Sequence, residues 1–168
     1  VEAGDPLVAV EGGRAPGDRL VEAIRDSFAI GDVRTFENDP RFGLSVLSEI
    51  AERALSPAIN DPGTAQAIVD AAERTVVRWA ETVREADRDS AAGDAAATDD
   101  VGRAVSGVTV PDLDPEWLLD GAFSAIARDG ADKVEIALRL QRAYRNVAAA
   151  GNAAIAQACV RQARLAGD

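Results

Sequence analysis

The sequence predicts a mainly α fold, a bundle of about six helices with a small β element. Three observations carry this. Apolar residues recur at three-and-four spacing over most of the 168 residues. Asp-Pro pairs, which place an N-cap before a proline at the first helical position, stand at Asp39-Pro40, Asp61-Pro62 and Asp114-Pro115. Apolar residues make up 47% of the chain, yet it holds only four Phe, two Trp and one Tyr. A core so poor in aromatics is built by helices that approach closely on alanine.

The chain is organised around the run A-L-S-P-A-I-N-D-P-G-T-A from Ala54 to Ala65. Before it, Val46, Leu47, Ile50, Ala51, Ala54 and Leu55 form one helical stripe. After it, Ala65, Ile68, Val69, Ala72, Val76, Trp79, Ala80 and Val83 form another. Pro57 turns Ser56 away from the helical region and Asp61 restarts the chain as an N-cap, so the run reads as a tight αα corner.

In chain order, Val1 to Val10 alternates weakly around Gly4-Asp5-Pro6 and reads as a strand of the β element, with residues 1–12 linking to an upstream part. Residues 13–168 read as one helical domain. Asp18 is expected to cap a helix running to about Ile30, with Leu20, Val21, Ile24 and Phe28 inward and Gly31 as the stop. A polar connection follows, ending in Asn38-Asp39-Pro40, the same triplet as Asn60-Asp61-Pro62. The long helix from Pro62 is expected to end near Glu85. Residues 86–100 hold Ala, Asp, Gly and Ser without a large apolar anchor and read as a mobile loop. Spaced valines between Val101 and Val110 read as short strands completing the β element.

Asp114 then caps a helix carrying Trp117, Leu118, Ala122, Phe123 and Ile126 inward, and Gly130 ends it. The helix from Ala131 to about Ala150 is apolar on two sides, Val134 and Leu138 on one, Ile136, Leu140, Tyr144 and Val147 on the other, the pattern of a central helix. Gly151-Asn152 breaks it, and Ile155, Ala156, Cys159, Val160 and Ala163 form the last amphipathic stripe.

Several function classes are excluded or disfavoured. Histidine is absent, which removes Ser-His and Cys-His nucleophile pairs and His-ligated zinc within this chain. Cys159 is the single cysteine, so no intrachain disulfide forms, and its place on an apolar stripe reads as core. A net charge of -11 argues against nucleic acid and against anionic lipid surfaces as partners. No run of 18 apolar residues marks a membrane span. The chain starts at Val1 without methionine, which reads as a piece of a longer protein.

The segments R-T-F-E-N-D-P-R-F-G-L (Arg34 to Leu44), I-A-E-R-A-L-S-P-A-I-N-D-P-G-T-A (Ile50 to Ala65) and W-L-L-D-G-A-F-S-A-I (Trp117 to Ile126) resemble the signature of a prokaryotic predicted membrane protein family, domain of unknown function 2254. The resemblance implies several transmembrane helices upstream, a C-terminal soluble part, and placement of this part on the cytoplasmic face. It implies no activity, and no catalytic residue is carried over.

The polar residues of the signature form the candidate site: Arg34, Thr35, Glu37, Asn38, Asp39, Arg53, Ser56, Asn60, Asp61 and Thr64. One reading makes them caps and ion pairs that fix the angles between three helices, with Arg34 and Arg53 pairing Glu37, Asp39 or Asp61. The other brings the two Asn-Asp-Pro corners together around a small ligand. No catalytic set, metal site or cofactor is expected. The function expected is that of a cytoplasmic assembly or regulatory domain of a multi-span membrane protein, self-associating and partnered with its own transmembrane region. The alternatives are the vestibule of an ion channel or transporter and, behind it, a membrane-anchored enzyme.

Overall fold

A computed structural model describes residues 17–28, 39–91 and 113–166. The chain divides into two compact units, residues 1–34 and 35–168.

Within the first unit, α1 spans Asp18–Asp26 and buries none of its residues. Asp18 is its first helical residue; Gly17 stands at the N-cap with no side-chain cap bond. The helix ends at Ser27, whose Oγ donates to Ile24 O at 2.7 Å. It therefore stops short of Ile30, and Leu20 and Phe28, expected to face inward, are exposed. A serine hydroxyl that takes up a terminal carbonyl ends a helix as a glycine does, without the positive φ.

Among the described residues, the second unit is a ring of five helices. The first, α2, spans Pro40–Leu55. Its start is fixed by Asp39, whose carboxylate accepts from Phe42 N at 3.0 Å, with Pro40 at the first helical position. Leu44, Ser48, Ala51 and Leu55 form its buried stripe, so Ile50 turns outward. After the corner, α3 spans Pro62–Ala91. Ala65, Val69, Ala72, Val76 and Ala80 are fully buried along one face, and Ile68, Trp79 and Val83 pack beside them as the periodicity predicts.

The helix α3 runs six residues past the expected end. Residues 86–91, expected in the mobile loop, continue it, and the rest of that loop lies outside the described residues. Two contacts from a distant corner explain the extension: Asn152 Nδ2 donates to Asp87 Oδ2 at 2.7 Å and Arg84 Nη1 to Ala149 O at 3.4 Å. Alanine and arginine need only such modest anchoring to stay helical.

Residues 115–129 form α4, two α-helical pieces, Pro115–Leu119 and Ala125–Asp129, joined by a π-helical turn at Asp120–Ser124. Asp114 caps it by accepting from Glu116 N at 3.0 Å. Then come α5, Val134–Ala150, and α6, Ala153–Leu165, the latter capped by Asn152, which accepts from Ile155 N at 3.0 Å. In the corner between them, a Cβ on Gly151 would lie 2.7 Å from Ile155 Cγ2 and 2.8 Å from its Cβ, so the two helices close only over a residue without a side chain.

Neighbours pack in the cycle α2–α3–α5–α6–α4–α2. At its centre Phe123 and Tyr144 meet edge to face, centroids 5.4 Å apart. Nine of the buried apolar residues among those described are alanines, as a close-packed, aromatic-poor core requires. The helix α5 does lie between α3 and α6, but only its second apolar side is used: Ile136, Leu140, Tyr144 and Val147 are buried, while Val134 and Leu138 are exposed.

Among the described residues there are six helices and no strand. The β element assigned to Val1–Val10 and Val101–Val110 lies outside them.

Candidate functional site

Of the signature residues, Arg34, Thr35, Glu37 and Asn38 lie outside the described residues. The others fall into two groups at opposite ends of α2. Asp39 is the cap at its start. Arg53 lies in its last turn, and Ser56, Asn60, Asp61 and Thr64 follow past its end. Sixteen helical residues separate Asp39 from that cluster, about 24 Å along the axis. Asp39 and Asp61, the described carboxylates of the two triplets, therefore cap different helices from opposite ends of α2.

The corner itself is held by a dense set of local bonds. Ser56 Oγ donates to Arg53 O at 2.7 Å, Asn60 N to Ser56 O at 2.8 Å, and Asp61 N reaches back to Ala54 O at 2.7 Å. Asn60 has φ 48, the left-handed conformation that Asn tolerates better than most residues. Asp61 then accepts from Thr64 N at 3.0 Å and from Thr64 Oγ1 at 2.6 Å. The Thr64 hydroxyl, and after it the Thr64 amide, hold the Asp61 carboxyl below its usual range, so it remains an anion at the helix start. Arg53 is exposed and forms no ion pair among the described residues; Glu37, one of the partners expected for it, lies outside them.

The signature segments meet elsewhere. Arg41 donates from Nη2 to Asp120 Oδ2 at 3.1 Å and lays its guanidinium over the Trp117 ring, 4.4 Å from the centroid. A Cβ on Gly121 would lie 2.5 Å from Arg41 Nε, so the glycine clears the path the arginine follows across α4. Arg41, Trp117, Asp120 and Gly121 are all signature letters, but their partnership shows only when α2 and α4 are packed.

The π turn beginning at Asp120 widens α4 where two clefts open. π-Helical turns are rare and concentrate at functional places. One cleft, about 480 Å³, lies against α2 and is lined by Ser45, Ser48, Glu52, Asp120, Ser124 and Arg128. The other, about 450 Å³, lies against α5 and α6 and is lined by Asp120, Ser124, Tyr144, Gln162 and Leu165. Ser48 Oγ and Tyr144 Oη, one in each lining, are buried and make no hydrogen bond among the described residues. Burial raises the Tyr144 phenol well above its usual value, so it is a neutral donor. Chemically the clefts offer hydroxyl groups beside the paired Asp120, Glu52 and Arg128 and the exposed carboxylate of Glu49. One sequence signal pointed here: a serine at position 48, inside an otherwise apolar stripe.

A second polar cluster, between α3 and α5, went unread in the sequence. Arg139 on α5 bridges Asp70 and Glu73 on α3, and Asn146 Nδ2 donates to Glu73 Oε1 at 2.6 Å. No group of three His, Cys, Asp or Glu side chains among the described residues is placed to hold a metal ion. Nor is any described helix long and apolar enough to cross a membrane.

Residues 1–146 match the model of a family described as "Predicted membrane protein (DUF2254)". Uncharacterised proteins of Mycobacterium bovis and Mycobacterium tuberculosis are 47% identical to the chain over 55 residues, a stretch that is 33% of this chain and 11% of each relative. No solved structure matches. With 146 of its residues matched, the chain belongs to the predicted membrane protein family DUF2254.

Proposed function

We propose that the helical unit is an assembly or regulatory domain carried outside the bilayer, on the cytoplasmic face, by a multi-span membrane protein that self-associates. The observation that carries the reading is the use made of the signature carboxylates. Asp39 and Asp61 cap helices and Asp120 holds Arg41, so each faces a helix start or a guanidinium rather than another carboxylate. What the signature supports is a fixed arrangement of α2, α3 and α4, the requirement of a part that transmits geometry. The clefts beside the π turn give the regulatory half of the reading a place for a small polar ligand.

The test is native mass spectrometry of the full-length membrane protein in detergent, with and without residues 39–166. Deletion is expected to lower the subunit count while the remainder still inserts into the membrane. An unchanged count would overturn the assembly reading.

A further inference from the structure

The average charge of this chain hides a strongly segregated one. From Val134 to Leu165 there are five arginines and one glutamate, a local charge of +4 in a chain of net -11. Two of the five are engaged: Arg139 with Asp70 and Glu73, Arg161 with Glu116. The other three, Arg142, Arg145 and Arg164, are exposed and pair with no described residue.

Helical geometry gathers these three with the exposed aliphatics of the same hairpin. On α5, Val134, Leu138, Arg142 and Arg145 fall within one quarter of the helix surface. Arg145, Val160 and Arg164 line one shallow cleft between α5 and α6. Val134 is 71% exposed, Leu138 65% and Val160 50%. No carboxylate lines that cleft; the one acidic side chain of the hairpin, Glu135, sits on the flank of α5.

We infer that this face of the α5–α6 hairpin docks on an anionic phospholipid surface, with Arg142, Arg145 and Arg164 on the phosphodiesters and Val134, Leu138 and Val160 entering the headgroup boundary. Charge complementarity selects the occupant: a cationic face with interspersed aliphatics is the pattern of interfacial binding. The overall negative charge does not cancel it. The α3 acids nearest to the face, Asp70 and Glu73, are engaged by Arg139, and Glu73 by Asn146 as well, so their charge is spent on those partners rather than presented to a lipid surface. The average charge predicts repulsion; the local distribution predicts attraction at one face. Membership of a membrane protein family puts such a surface within reach.

The inference is independent of the assembly reading, because vesicle binding is measured with this chain whatever its subunit count. The experiment is flotation of the purified protein with vesicles of phosphatidylcholine alone or mixed in equal parts with phosphatidylglycerol. Binding is expected only to the mixed vesicles, weakening as salt is raised. Arg142→Gln, Arg145→Gln and Arg164→Gln should each lower the partition coefficient about fivefold. Leu138→Ser should lower it as well, whereas Arg161→Gln, off the face, should leave it unchanged. All these side chains are exposed, and circular dichroism checks that the variants stay helical. Absence of flotation with mixed vesicles, or flotation that survives the triple arginine variant, overturns the proposal. So does a change in molecular mass in the triple variant without a change in flotation, which would make the face a contact between protein chains.

Discussion

Arg41 and Asp120, 79 residues apart in the chain, meet at 3.1 Å and hold the start of α2 against the π turn of α4. The pair is half open to solvent on the Asp120 side, so the ion pair alone contributes under about 1 kcal/mol. The stacking of the same guanidinium on Trp117 adds about 0.5–1 kcal/mol. The clasp matters more for registering two helices than for bulk stability.

Arg41→Ala should therefore destabilise the fold by about 1–2 kcal/mol. Gly121→Ala tests the geometry, because the new methyl must displace Arg41 while helix propensity favours alanine by about 1 kcal/mol. Alone it should be neutral or mildly destabilising. In the Arg41→Ala background it should stabilise by about 1 kcal/mol. A double-mutant cycle by denaturant unfolding measures this coupling, and additive effects would refute the clasp.

The Arg139 bridge is of a different kind. Arg139 and Glu73 are both mostly buried, so Arg139→Ala leaves Glu73 with Asn146 as its remaining partner and should cost about 2–3 kcal/mol. Arg161→Ala removes the half-exposed pair with Glu116 and should cost under about 1 kcal/mol. Equal losses in thermal unfolding would contradict this ranking.

Gly151→Ala should destabilise by roughly 1–3 kcal/mol, the usual range for overpacking. The methyl would strike Ile155 at its Cβ, an atom fixed to the helix backbone, rather than at a movable side-chain tip. A calorimetric midpoint equal to wild type would show that the α5–α6 corner is looser than described.

Burial pushes the Cys159 thiol up to about 11. Because the folded value lies above the unfolded one, its contribution to stability is complete below about pH 9 and is lost as pH rises toward 11. In the native protein near pH 8 the thiol should react with a disulfide reagent only as fast as the core opens. Immediate reaction without denaturant would place Cys159 at the surface.

What the sequence made legible was the local part of the fold. Asp39, Asp61 and Asp114 announced helix starts because capping is settled within three residues, and the α3 stripe announced itself through five small apolar residues at helical spacing. What it concealed was set across distance. The extension of α3 depends on Asn152, the clasp of Arg41 on the clearance at Gly121, and the sides of α5 on which neighbours cover it. The two Asn-Asp-Pro triplets look like one device in the sequence; the length of α2 separates them.

The central claim is that the signature is architecture, and the caps test it most directly. Denaturant unfolding of Asp39→Ala and Asp61→Ala at neutral pH should show both midpoints lowered, Asp39→Ala by about 0.5–2 kcal/mol. Because the folded Asp61 carboxyl titrates below its ordinary value of 3.8, its contribution is present above that pH and fades as pH falls through the lowered value. The gap between wild type and Asp61→Ala should therefore close in acid. Wild-type midpoints for both variants at neutral pH would contradict the account.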